Sequence, residues 1–301
     1  MQNVTIDRDK YIGGSDIPII LGISPFKSRF DLLLEKAGLK ENDFTGNEYT
    51  EYGNVMEEKI RNYVNENLGK SFHEGKHITG DIRCHTDGID YSTVLEIKTT
   101  SQIKENVEDY KTYLVQLLFY MYHTNKSNGI LAVYNRPSDF DENFDSKRLQ
   151  IFAITIDNYQ ELVNEINNAV EQFRVDLEKV KENPLITEEE LLPVDLTELS
   201  NKVVALENQL ATYKQIEKES KELKNELKSL MEKHSVKKWI TNNGTTITLV
   251  PDGTDKEVLK FNETKFKDEH EDIYKEYLET KMQKGKTGYV LITLPVGGKY
   301  E

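Results

Sequence analysis

Residues 82–98, IRCHTDGIDYSTVLEIK, decide how this chain is read, because they hold an acid, a turn and a second acid in one short hairpin. Ile82, Cys84 and Asp87 read as a strand that ends on a carboxylate, Gly88 opens the turn, and residues 93–98 read as the returning strand. Alternation sets Val94, Glu96 and Lys98 on one face of that strand, and Thr93, Leu95 and Ile97 on the other. Glu96 and Lys98 therefore point toward the end of the first strand, where Asp87 stands. Two carboxylates and an ammonium converging at a strand end suit a hard divalent cation, since Mg2+ prefers oxygen ligands and keeps several waters. The lysine would orient or deprotonate an attacking water, or stabilise charge on a phosphoryl oxygen. A D-x8-E-x-K pattern by itself fits equally a solvated hairpin face carrying a surface Glu–Lys pair. The flanking sequence has to decide between them.

Working outward, 301 residues with 37% hydrophobic content can bury a sizeable core, and one large domain plus an appendage is expected. No apolar run approaches membrane-spanning length, and the opening MQNVTIDRDK lacks the apolar segment of a signal peptide, so a cytoplasmic protein with no membrane partner is expected. The single cysteine, Cys84, excludes an internal disulfide framework and a cysteine-rich zinc or iron–sulfur site. A formal charge of -14 argues on its face against a nucleic-acid partner. An enzyme can nevertheless keep an acidic exterior and confine its cations to one channel.

Upstream of the hairpin, Ser15 reads as the N-cap of a short apolar helix over residues 17–21, with Pro18 in its first turn. Two glycines before a helix start also make an anion site conceivable, and Arg8 offers a fork-shaped phosphate donor. In SPFKSRFDLLLEKAGL, Ser28 and Asp31 have capping-box spacing and Gly38 terminates the helix. Lys27 and Arg29 sit at its mouth, as surface charges or as the lining of a nucleic-acid channel. Residues 48–68 carry Met56, Ile60, Tyr63 and Val64 at helical spacing, with Glu57 at the border of the apolar face and Arg61 one turn on. If this helix packs behind the hairpin, Glu57 reaches the same metal centre or a second one.

Downstream, residues 107–124 read as a tyrosine-rich helix with Tyr113, Leu117, Tyr120 and Thr124 in one stripe and Gln116 beside it. Strands over 129–134 and 149–156 follow, and then a long helix over 159–180. This order fits an α/β (α+β) core in which a mixed central sheet is flanked by helices. Pro184 and Pro193 bracket an acidic linker, which gives a core over 1–184, a linker over 185–196, a long helix or helical hairpin over 197–236, and a small α/β segment over 237–301. In the appendage, Leu199, Val203, Leu206, Leu210, Tyr213, Ile216, Leu223, Leu227 and Leu230 follow three–four spacing, with Ser220 filling one core position. A hairpin around Asn242-Asn243-Gly244, a helical segment over 255–281 and a last strand over 289–294 complete the reading.

The ordered set IGGSD, SPFKS, GNVMEE, TDG, LEIK and VQLLFYM resembles the YqaJ-type phage recombination exonucleases, relatives of the lambda exonuclease in the restriction-endonuclease-like superfamily. The resemblance covers roughly the first 180 residues; each motif alone is weak, and their order is specific. It implies a restriction-endonuclease-like core with Asp87, Glu96 and the Ile97 carbonyl as metal ligands, Lys98 as the catalytic lysine, Glu57 as the acid of a second metal position and Gln116 as the motif glutamine. Arg8 with Ser15 would form the 5'-phosphate pocket, beside Lys27 and Arg29 as DNA contacts. It further implies two Mg2+ ions, replaceable by Mn2+, and 5'-to-3' digestion of double-stranded DNA ends that leaves 3' overhangs for a single-strand annealing protein. A ring-forming homo-oligomer, a trimer in family terms, and a phage or prophage protein in a bacterial host are also implied. The competing readings are a structure-specific endonuclease on the same core and a catalytically silent DNA-end-binding assembly protein.

Overall fold

A computed structural model describes residues 7–41, 46–253 and 257–278, and they divide into two compact units, Met1–Leu192 and Pro193–Glu301. Each unit is taken separately.

The first unit is a six-stranded mixed sheet with helices on both faces, as the alternating order of elements requires. After β1 (Ile12–Gly13), α1 (Ile17–Ile20), α2 (Arg29–Lys36) and α3 (Glu48–Leu68) come three successive strands, β2 (His73–Thr79), β3 (Ile82–Ile89) and β4 (Thr93–Thr100). Helix α4 (Lys111–His123) then crosses to β5 (Asn128–Asn135), β6 (Leu149–Thr155) returns, and α5 (Gln160–Glu182) closes the unit. Strand β5 lies parallel to β4, and β6 antiparallel to β5. Val94, Leu131 and Val133 pack with α4 and α5 on one face, whereas Leu95, Ile97, Ile130 and Ala132 pack with Tyr52, Met56 and Ile60 of α3 on the other. Strands buried on both sides explain why their sequences read as apolar runs instead of clean alternation.

Four local readings change. The turn after the first acid sits at Asp90, whose Oδ1 accepts from Ser92 N (2.8 Å) and Thr93 N (2.7 Å), so β3 runs through Gly88 to Ile89. Strand β2 was not expected: HEGKHIT is too polar to show a pattern, and it is held as an outer partner of β3 by the backbone ladder. Ser15 does not cap α1; a 3-10 turn over Gly14–Asp16 precedes that helix, and Asp16 accepts from Gly13 N at 3.0 Å. The second glycine of the pair serves close packing, since a Cβ on Gly14 would stand 2.4 Å from the Tyr120 ring.

The second unit opens with α6 (Val194–Lys233), a single 40-residue helix and not a helical hairpin. The hairpin of β7 (Lys238–Ile240) and β8 (Thr246–Thr248) follows, with Trp239 opposite Ile247. The helical segment expected over 255–281 is two short helices among the described residues, α7 (Glu263–Glu269) and α8 (Glu271–Glu276). The strand expected over 289–294 lies outside the described residues. No helix among those described is long and apolar enough to cross a membrane.

Candidate active site

Strand β3 has β2 along one edge, and β1 and β4 share the other. Strand β1 pairs at Ile82 and Arg83, β4 at Gly88 and Ile89, and between them β3 and β4 part company. Asp87 stands at the parting, where its Oδ2 accepts a hydrogen bond from Ile97 N at 2.7 Å. Simple alternation from Ile82 and Cys84 would send Asp87 to the opposite face from them. The β2–β3 ladder contains a bulge, however: three steps of β3, from Thr86 to Ile89, face two steps of β2, from Gly75 to His73. Beyond the extra residue, Ile89 packs with the Cys84 cluster while a Cβ on Gly88 would meet Leu95 and Phe72. The bulge thus re-aims Asp87 onto the Glu96 side, a common service of bulges beside functional sites.

Glu96 and Lys98 lie on the α4 face of β4. Lys98 Nζ is against Glu96 Oε1, while Glu96 is fully buried and its Oε2 has no hydrogen-bond partner among the described residues. Burial, then the Asp87 charge, pushes the Glu96 carboxyl up to about 8. Asp87 is also raised by burial, against the pull of Lys98, the Ile97 N–H and Arg61. Burial alone would push Lys98 down, yet the Glu96 and Asp87 carboxylates more than reverse this and hold it above its ordinary value. Its ammonium also stands 6.0 Å over the Tyr113 ring.

Glu57 approaches from α3, and burial followed by the Asp87 charge pushes it up to about 7. Arg61, one turn on, is buried and donates to Glu57 Oε1 (3.1 Å), to the Asp87 carbonyl and to Glu74 Oε1 of β2 (2.9 Å), so one guanidinium ties helix, bulge and outer strand together. Gln116 joins the site through a relay: its Nε2 donates to the Tyr120 hydroxyl at 3.2 Å, and Tyr120 is raised by burial, then by Glu96 and Asp87.

A buried carboxylate with an unpartnered oxygen, raised by two other acids, is a donor set that a hard cation would relieve. Asp87, Glu96 and the Ile97 carbonyl fit one such ion. The Ile97 N–H points to β3, and in an extended strand the carbonyl of the same residue points the same way. Among the described residues no three His, Cys, Asp or Glu side chains already surround one point. Glu57 therefore fits a second position better than the first.

The remaining candidates lie along the N-terminal segment. Arg8 Nη2 donates to Ser15 Oγ (3.3 Å) and Asp16 Oδ1 (3.4 Å), and buried Asp16 is paired with buried Lys36 at 2.9 Å. Lys36 also donates to the Arg8 and Tyr11 carbonyls, which pins this segment to α2. Lys27 is paired with Glu35 (2.6 Å), and Arg29 with Asp176 of α5 (2.8 Å), each keeping part of its side chain exposed. Helix α1 has only four residues, so any anion held here rests on side chains and not on a helix dipole. The sequence marks Arg61 only as a helix neighbour of Glu57, and by residue type it sets Glu74, Asp16 and Lys36 apart from no other charged residue of the site. Lys36 carried a signal, since it shares helical spacing with Leu32 and Leu33 on the buried stripe of α2.

Residues 6–127 match the model of the YqaJ-like viral recombinase domain. Uncharacterized protein YqaJ of Bacillus subtilis (strain 168) is 31% identical over 127 residues, which cover 38% of this chain and 40% of that protein, so the match spans well under half of the relative. Among solved structures, an alkaline exonuclease (LHK-Exo) from Laribacter hongkongensis superposes with a TM-score of 0.46 and 20% identity, over 58% of this chain and 91% of that one. A phage related exonuclease from Haemophilus somnus 129PT gives a TM-score of 0.45 and 17% identity, over 56% and 94%. The span that holds Arg8, Glu57, Asp87, Glu96, Lys98 and Gln116 is the span that matches the YqaJ-like viral recombinase domain.

Proposed function

We propose that the chain is a metal-dependent deoxyribonuclease that digests double-stranded DNA from a 5' end. The observation that carries this reading is the meeting of Glu57, Asp87 and Glu96 with Lys98 at the point where β3 and β4 separate. Bound there, one or two Mg2+ ions would supply an activated water and stabilise the charge of the phosphoryl transition state. Asp87 and Glu96 would hold the first ion with the Ile97 carbonyl, and Glu57 a second. Lys98, kept cationic by its two acids, suits charge stabilisation on a phosphoryl oxygen better than proton abstraction. Arg61 and the Gln116–Tyr120 pair are positioning groups, since they hold the acids or line the site without facing open solvent. The 3' overhang would pass to a single-strand annealing protein, and a homo-oligomeric ring would keep the enzyme on its substrate.

Linear duplex labelled at either the 5' or the 3' end, incubated with Mg2+ and with EDTA, tests this directly. Release of 5' label as mononucleotide, only with metal, is expected; loss of 3' label first would overturn the polarity. An internal cutter on the same core is favoured by one observation, the prior engagement of Arg8 by Asp16 and Ser15. Covalently closed circular DNA separates the two, because an exonuclease leaves it intact.

A further inference from the structure

Helix α6 carries an apolar stripe with nothing over it among the described residues. Leu206 is 58% exposed, Leu210 49%, Tyr213 71% and Leu223 65%, while Met231 is its only buried residue. A helix draws most of its stability from packing one face, so a stripe of this length calls for a partner. The spacing of the stripe says which. Val203, Leu206, Leu210 and Tyr213 follow steps of three, four and three; Ile216 then arrives three residues later, where four is due, and breaks the phase of the seam. Read backward from the other end, Leu230, Leu227, Leu223 and Ser220 repeat the same steps of three, four and three.

A seam that reads alike from both ends matches a second copy running the other way. We propose that α6 pairs with α6 of a second copy of this chain as an antiparallel two-helix coil, with the two-fold axis beside Ile216. In that alignment Val203 faces the second copy's Leu230, Leu206 its Leu227, Leu210 its Leu223, and Tyr213 its Ser220. The last layer sets the largest side chain of the seam over the smallest, and Ser220 lines a shallow groove with Ile216, Glu219, Leu223, Lys224 and Leu227. The charges beside the seam agree. Glu207 falls next to the second copy's Lys224, and Lys214 next to its Glu217, and the two-fold repeats both pairs. A parallel coil would stack Tyr213 on Tyr213 and leave Ser220 against Ser220, with Glu207 beside Lys202 instead.

The pairing does not depend on the nuclease reading and is read out by mass alone. Light scattering on the 301-residue chain at tens of micromolar should give an even multiple of the chain mass. Leu210→Glu should halve it. Glu207→Lys, a change on the solvent flank that leaves folding alone, should raise the dissociation midpoint about tenfold. Adding Lys224→Glu to it should restore the midpoint. A single-chain mass for the wild type overturns the proposal, and so does an odd multiple. Rescue by Lys202→Glu in place of Lys224→Glu, or no response to Glu207→Lys, overturns the antiparallel alignment.

Discussion

At the scale of single residues, Glu96 concentrates the cost of the site, because a fully buried carboxylate with one unpartnered oxygen stands beside two other acids. A carboxyl raised in the folded state binds its proton more tightly folded than unfolded. The stability it contributes is complete below the ordinary carboxylate range and is lost as pH climbs through about 7 for Glu57 and about 8 for Glu96. The metal-free protein is therefore expected to lose several kcal/mol, about 4 from Glu96 alone, between pH 5 and 9. Thermal melts in EDTA should show that fall, Mg2+ should flatten it, and Glu96→Gln should remove most of it while abolishing cleavage; a pH-independent melt in EDTA would contradict the strained acid cluster. Arg8 is tested by end chemistry. If it holds a terminal phosphate, a 5'-phosphorylated duplex should be cut faster than its 5'-hydroxyl twin, and Arg8→Ala should shrink that preference roughly ten- to a hundredfold, the worth of one charged hydrogen bond. Equal initial rates on both ends in the wild type would discard the pocket. Glu57, Glu96 and Lys98 of the cluster follow from strand alternation and helical spacing, which are local properties, whereas alternation alone sends Asp87 to the wrong face and the bulge corrects it. Arg61 was not legible in the sequence, since its role depends on Asp87 and Glu74, both distant in sequence.

At the scale of elements, what escaped the sequence is what backbone pairing decides. Strand β2 has no apolar period, and the bulge that turns Asp87 toward Glu96 is a count of residues across two strands, which neither strand displays alone. Helix α3, by contrast, spans the 48–68 that its apolar spacing predicts; Asn47 caps it through Thr50 N and Gly69 closes it at φ 60°. The N-terminal segment is held by the Asp16–Lys36 pair, whose side chains are 2% and 3% exposed. Removing one partner leaves a buried charge uncompensated, so Asp16→Ala should cost about 3–5 kcal/mol, whereas Asp16→Leu with Lys36→Met should recover much of it. Urea unfolding of the two variants measures this, and a loss below about 1 kcal/mol in Asp16→Ala would mean that Lys36 finds water. The site is expected to feel the same change, because Arg8, which also donates to Ser15, loses its carboxylate partner.

At the scale of the whole molecule, every named site residue lies in the unit Met1–Leu192, whereas the exposed seam lies wholly in Pro193–Glu301. The acid cluster thus lies in one unit and the proposed α6 pairing in the other. Pro184 and Pro193 are where the sequence sets its linker over 185–196, and it leaves one helix or a hairpin open beyond it. The seam of α6 folds back on itself as a pattern, and a pattern that reads alike from both ends describes an antiparallel partner without saying whether that partner is the same chain. One continuous helix rules out α6 folding back on itself, and the pairing proposed is with a second copy. A chain ending at residue 192 keeps both faces of its sheet covered, since Val180 and Phe173 of α5 complete the α4 core and α3 covers the other side. It should therefore remain folded, cut linear duplex in the presence of Mg2+, and lose the even stoichiometry of the 301-residue chain. Circular dichroism, cleavage and light scattering on the same sample separate these outcomes. An unfolded fragment would place part of the core beyond residue 192, and a folded fragment that keeps the stoichiometry of the 301-residue chain would move self-association from α6 to the sheet unit.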